Sequence, residues 1–118
     1  MSPRRRLTLS DVRKIALALP ETAEGSHMGH ADLRVRNKIF AGLPNDGRTI
    51  NLMATPENVD ALVAADPDTF RDVWGGRWIG VRLDRVSLKQ LRELIEDAWR
   101  VRATKPAPRR RSGSPRTR

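Results

Sequence analysis

Apolar residues recur at helical spacing near both ends of the central part of the chain and alternate with polar ones between those ends. Leu9, Val12, Ala16 and Leu19 repeat with a period near 3.6, Ile15 widens the stripe, and Pro20 stops it. Thr8 stands where an N-cap belongs, Asp11 follows at the third helical position, and Leu7 with Val12 makes a hydrophobic staple. A first helix is therefore predicted to start after Thr8. The run Asp32–Arg36 alternates Leu33 and Val35 against Arg34 and Arg36, which predicts a strand. Asn37-Lys38 is expected to turn the chain into a second strand, Ile39–Leu43. Pro44-Asn45-Asp46-Gly47 then turns it into a third, at about Arg48–Ala54.

Thr55 before Pro56 predicts a second helix with Pro at its first position, an apolar face of Val59, Leu62 and Val63, and an end at Asp66-Pro67. A short strand is expected around Thr69–Val73, followed by a Gly75-Gly76 turn. In the run Arg77–Asp84, Ile79, Val81 and Leu83 share one face and Trp78, Arg82 and Asp84 the other. Ser87 with Gln90 forms a capping box for the last helix, Val86 and Leu91 staple it, and Leu91, Leu94, Ile95, Ala98 and Trp99 make its stripe. The order α-β-β-β-α-β-β-α with short connections predicts an α+β fold. Its antiparallel sheet has about five strands and three helices packed mainly on one face. The other face is left open, and function is to be sought there.

Charge changes this picture less than its total suggests. The formal net charge is +9, but nine of the 23 basic residues lie in the two ends: Arg4, Arg5 and Arg6, then Lys105, Arg109, Arg110, Arg111, Arg116 and Arg118. Residues 7–102 hold the other 14 basic residues and all 14 acidic ones, so that part is neutral. The stretch ATKPAPRRRSGSPRTR has almost nothing to bury, and residues 103–118 are expected to form a disordered basic tail after a domain spanning 7–102. Tails of this kind bind phosphate backbones without reading sequence. The absence of cysteine excludes disulfides and thiolate metal sites. No segment has the apolar length of a membrane span or a signal peptide, so a cytoplasmic protein without a membrane partner is expected.

Three stretches resemble the MmcQ/YjbR family of small bacterial proteins. They are the helix end LALP, the hairpin Leu33-Arg34-Val35-Arg36 with Lys38-Ile39-Phe40-Ala41, and the strand WIGVRLDRV. The resemblance spans about residues 8–102. It implies a CyaY-like α+β fold and a DNA-binding role in which sheet-derived wings touch the nucleic acid. It also bears on Gly25-Ser26-His27-Met28, which spells the scar of a cleaved affinity tag: family-like residues on both sides mark it as native.

His27 and His30 suggest half of a metal site, but a loop with two histidines and no fixed third ligand points to packing and hydrogen bonding instead, and no metal or cofactor is expected. Enzyme signatures are missing: there is no phosphate-binding lysine loop, no dinucleotide glycine fingerprint and no paired-histidine zinc helix. A non-enzymatic, monomeric protein is expected. Period-two geometry turns Arg34, Arg36, Thr49, Asn51, Trp78 and Arg82 toward the open face, with Lys38 beside them. Guanidinium groups pair with phosphates and an indole stacks on a base, so Arg34, Arg36, Lys38, Trp78 and Arg82 are candidate nucleic-acid contacts, joined by Arg109, Arg110 and Arg111 of the tail. Two alternatives stand beside this reading. Arg34 and Arg82 have nearby acids in Asp32 and Asp84 to pair with, and the same face would serve equally as a protein-interaction surface.

Overall fold

The structure, a computed structural model, describes residues 7–104. Helix α1 (Leu9–Leu17) starts as its sequence predicts: the Thr8 hydroxyl accepts from the Asp11 amide, and the Asp11 carboxylate accepts from the Thr8 amide at 2.8 Å. Helix α2 (Pro56–Ala65) has its N-cap at Thr55 and its C-cap at Asp66. Helix α3 (Leu88–Thr104) takes the hydroxyl half of its expected box, Ser87 accepting from the Gln90 amide at 3.1 Å. It runs two residues beyond the expected domain end at 102. The tail arginines Arg109, Arg110 and Arg111 lie outside the described residues.

The sheet is antiparallel and has six strands: β1 (Thr22–His27), β2 (His30–Val35), β3 (Lys38–Leu43), β4 (Thr49–Met53), β5 (Phe70–Asp72) and β6 (Trp78–Arg82), ordered β1-β2-β3-β4-β6-β5. The expectation of about five strands is corrected by β1. That segment pairs with β2 along its whole length, from Thr22 opposite Val35 to His27 opposite His30. The presumed loop carrying the histidines is thus a hairpin closed by Met28-Gly29, both at positive φ, as a two-residue turn of the I′ type requires. Glycine occupies that region without cost, whereas Met28 bears some strain. A second turn of the same kind joins β2 to β3 at Arg36-Asn37, with φ of 48° and 67°. The expected turn at Asn37-Lys38 is therefore one residue too late, and Arg36 is a turn residue rather than a strand residue.

Period-two burial holds on the core side. Leu33, Val35, Ile50, Leu52, Ile79 and Val81 are all buried, as are Phe40, Ala41 and Leu43. Register slips between Leu33 and Arg34, where β3 inserts Phe40 between the partners Ala41 and Ile39. Helix α3 lies across β3 and β4 through Leu91, Ile95 and Ala98. Helix α1 sits beside it against β1 through Val12 and Ala16, and α2 packs against β5. Trp99 is half-buried and its indole N–H donates to the Pro20 carbonyl at 3.0 Å, fixing α3 to the end of α1. No helix among the described residues is long and apolar enough to cross a membrane. Among the described residues, no helix covers the opposite face of the sheet.

Candidate functional site

On the open face, register fixes which side chains share a line across the strands. Gly25 stands opposite Asp32, Asp32 opposite Gly42, Gly42 opposite Asn51, Asn51 opposite Gly80, and Gly80 opposite Arg71. Three of the six positions in this row lack a side chain; Arg34 and Asp32 cover Gly25, Val73 and Arg71 cover Gly80, and Gly42 lies open on the face. Over Gly42 runs a groove of about 520 Å³ lined largely by apolar side chains, among them Met28, Ile39, Leu43, Trp74 and Trp78, with His27, His30, Asn51 and Arg102. A shallower, more polar depression of about 250 Å³ adjoins it, lined by Asp46, Thr49, Arg71 and Arg82 among others. Asn51 belongs to both.

Two hairpins bound the groove from diagonally opposite corners. The β1–β2 tip is at the end of the sheet where β4 begins. The β5–β6 tip is at the other end, where Met53 of β4 meets Trp78. Strand twist lifts diagonal corners toward the same side, which explains how both tips line one groove.

At the β1–β2 corner, charge is held inside the fold. Arg34 grips Asp32 with two bonds, Nε to Oδ1 at 2.8 Å and NH2 to Oδ2 at 3.1 Å, and also donates to the Ser26 carbonyl and to Asn37. Asp32 is 3 % exposed. The hydrogen bond and charge of Asp32 raise the Arg34 pKa from its ordinary value. This pair lies flat over β1 because Gly25 has no Cβ: one added there would come within 2.7 Å of Arg34 Nε and 2.9 Å of Asp32 Oδ1. Arg36 donates to Glu21 and, at 3.3 Å, to the Ala103 carbonyl, tying the β2–β3 turn to the end of α3. Arg102 donates to the Ile39 carbonyl at 3.0 Å from the same helix end. His27 and His30 are cross-strand partners at the hairpin tip, and the described residues contain no cluster of three metal-ligating groups.

The β5–β6 corner is built differently. Its tip is a turn from Trp74 to Arg77, closed by Arg77 N–H to the Trp74 carbonyl at 3.2 Å and steadied by Gly76 N–H to the Asp72 carboxylate at 2.9 Å. Trp74 is 59 % exposed and meets the half-buried Trp78 edge to face, with ring centroids 5.7 Å apart and planes at 85°. Among the described residues, neither Arg71 nor Arg77 has a carboxylate partner, and neither does Lys38 at the start of β3.

Of the residues singled out from the sequence, Trp78 lies on the groove, Arg82 on the adjoining depression and Lys38 at the exposed start of β3. Arg82 is exposed and engages Asp84 at 3.2 and 2.9 Å, a surface pair weak enough to exchange. Arg34 and Arg36 are structural ties, Arg34 along the β1–β2 hairpin and Arg36 in the β2–β3 turn beyond its open end. Missed from the sequence were Arg71, Trp74 and Arg77. Their signal was the pair of tryptophans flanking Gly75-Gly76, since an indole beside so tight a turn has no core to enter.

The YjbR family profile matches residues 17–101. Among solved structures, the chain is similar to the crystal structure of the Deinococcus radiodurans protein DR2400, of the YjbR-like domain class DUF419. The TM-score is 0.75 at 20% identity, covering 88% of this chain and 84% of that one. No curated protein matches the chain.

Proposed function

Because the chain belongs to the YjbR family, and because its open face carries an aromatic, cation-bearing hairpin, we propose that it is a non-enzymatic nucleic-acid-binding protein, with DNA as its ligand. The observation that carries this reading is the β5–β6 hairpin, where Trp74 stands exposed on the groove and Arg71 and Arg77 of the same hairpin have no carboxylate partner among the described residues. Indoles supply a sequence-tolerant surface for unpaired bases, and unpaired guanidinium groups neutralise phosphates without first breaking an internal ion pair. Arg82 adds a third cation at the cost of a weak surface pair. The neutral balance of residues 7–102 leaves long-range attraction to the basic ends, including Arg109, Arg110 and Arg111.

Titrating the full chain with labelled single- and double-stranded oligonucleotides of equal length, at several salt concentrations, tests this. The expected result is tighter binding to the single strand, with affinity falling steeply as salt rises. Absence of binding to either form at low salt would overturn it. A second reading then takes its place, favoured by Met28 at 84 % exposure and by the apolar lining of the groove: a protein-interaction domain using the same face.

A further inference from the structure

Helix α3 delivers the chain to the rim of the groove. Arg102, in its last turn, donates to the Ile39 carbonyl at 3.0 Å, and both residues line the groove. Trp78 stands at that same end of the sheet, since Ala41 pairs with Leu52 and the next residue of β4, Met53, pairs with Trp78. The helix ends just beyond, at Thr104. Lys105-Pro106-Ala107-Pro108 follows, holding the sole run of consecutive apolar residues in 105–118, which lie outside the described residues. A proline steers the residue before it out of the helical region, so Lys105 and Ala107 are both biased toward the extended polyproline II conformation that the prolines themselves favour.

We propose that Lys105–Pro108 of the chain's own tail docks in this groove as a polyproline II segment. The walls suit it: Trp74 and Trp78 meet at 85° and make a two-sided aromatic corner. A polyproline II helix has three residues per turn, so Pro106 and Pro108 occupy two adjacent sides and the small Ala107 the third. Two proline rings thus enter one aromatic-lined groove, as proline-rich segments do elsewhere. The polar groups suit it as well. Polyproline II makes no internal hydrogen bonds, so its carbonyls need donors. Among the described residues, neither the half-buried Trp78 indole N–H nor the half-buried Asn51 carboxamide has a hydrogen-bond partner, and both residues line the groove. Length agrees too: the lining residues Ile39 and Leu43 are separated along β3 by about 13 Å, and Lys105–Pro108 covers about 12 Å in this conformation. So short a tether gives an effective concentration in the millimolar range, which keeps a segment of weak intrinsic affinity seated in its own groove. Docking belongs to the ligand-free protein and is independent of nucleic acid.

The indole N–H signals of Trp74, Trp78 and Trp99 in NMR spectra of the full chain test this. The Pro106→Gly, Pro108→Gly double variant should shift the Trp74 and Trp78 signals. It should also speed exchange of the Trp78 indole N–H with solvent by about tenfold, the change expected when a segment seated about nine-tenths of the time is released. The Trp99 signal should stay in place, because that ring bonds to Pro20 and does not line the groove. Ala107→Ser, on the third side, should leave all three signals at the parent positions. A synthetic peptide of residues 105–118, added in excess to the double variant, should return Trp74 and Trp78 to theirs. Identical Trp74 and Trp78 signals in the parent and the double variant overturn the docking. A parent whose signals move to the variant's positions on dilution shows that the groove takes the tail of a second copy, which overturns docking within one chain.

Discussion

The two hairpins that border the open face carry arginines in similar numbers but hold them in opposite ways. On the β1–β2 side Arg34 closes on a buried carboxylate, and Arg36, in the turn past the hairpin's open end, bonds to Glu21 and to the end of α3, so both belong to the architecture. At the β5–β6 corner Arg71 and Arg77 have no such partner among the described residues; the acid there, Asp72, accepts from the Gly76 amide instead. The difference follows from what lies beside each hairpin. β1–β2 abuts α1 and receives the last turn of α3, which leaves its charges to be matched internally, whereas among the described residues no helix end bonds to the arginines of the β5–β6 hairpin. An arginine on an open sheet is therefore a candidate contact only if its carboxylate has been accounted for.

The sharpest way to break the comparison is to remove Arg34. Arg34→Ala leaves Asp32 buried without its cation, and the melting temperature should fall by on the order of 10 °C. Gly25→Ala should act in the same direction through collision with the pair rather than its loss. Thermal unfolding checks both. A drop of only a degree or two for each would mean that the corner is not held by this pair. Next in size is Trp74→Ala, which should weaken single-strand binding by about 1–3 kcal/mol while stability barely changes, because the ring is mostly exposed. Intrinsic fluorescence is suited to this test, since Trp99 does not line the groove and is anchored by its bond to Pro20.

The Arg71→Ala, Arg77→Ala double variant should lower affinity by a smaller amount at physiological salt and reduce the salt slope by roughly one unit per arginine. Its melting temperature should stay within a few degrees of the parent. A slope unchanged by this variant but flattened by Arg34→Ala would reverse the assignment of the two corners.

The helices and the core strands were legible because each announces itself locally. The Thr8–Asp11 box, the Thr55-Pro56 start and the alternation through Ile79, Val81 and Leu83 all appear where the residues place them. Strand β1 was not legible, because TAEGSH has no alternation to read. It is an edge strand whose side chains are mostly exposed, and what fixes it is backbone pairing to β2. The β2–β3 turn was displaced by one residue for a related reason. The two-residue turn needs positive φ at both centres, and Asn37 was rightly taken as one of them. Its partner is Arg36, whose bonds to Glu21 and Ala103 hold it there against its own preference. The candidate site was half visible. Period two identified Asn51, Trp78 and Arg82 on the open face, but which arginines are engaged depends on distances that only the folded chain defines.

The smallest effect concerns Arg71, which has no carboxylate partner among the described residues although Asp46 and Asp68 line the same depression. Asp46 turns its carboxylate to its own loop: Oδ1 accepts from the Arg48 amide at 2.8 Å and the Thr49 amide at 3.1 Å, and Oδ2 from the Thr49 hydroxyl at 3.0 Å. The Arg48 amide bond is the main cause holding the Asp46 pKa below its ordinary carboxylate value, with the Thr49 bonds adding to it. A carboxyl whose folded pKa is depressed stabilises the fold fully above its unfolded pKa and loses that contribution as pH falls through the folded value. Asp46→Asn keeps one acceptor for the turn but cannot ionise. Its deficit in unfolding free energy relative to the parent should be less than about 1 kcal/mol near neutrality and should shrink as the pH falls through the acid range. Urea unfolding at a series of pH values reads this directly. DNA affinity should be unaltered by the change, since Asp46 is not what Arg71 pairs with. A clear gain in affinity for Asp46→Asn would show instead that this carboxylate restrains Arg71, and the contrast between the two corners would then be one of degree.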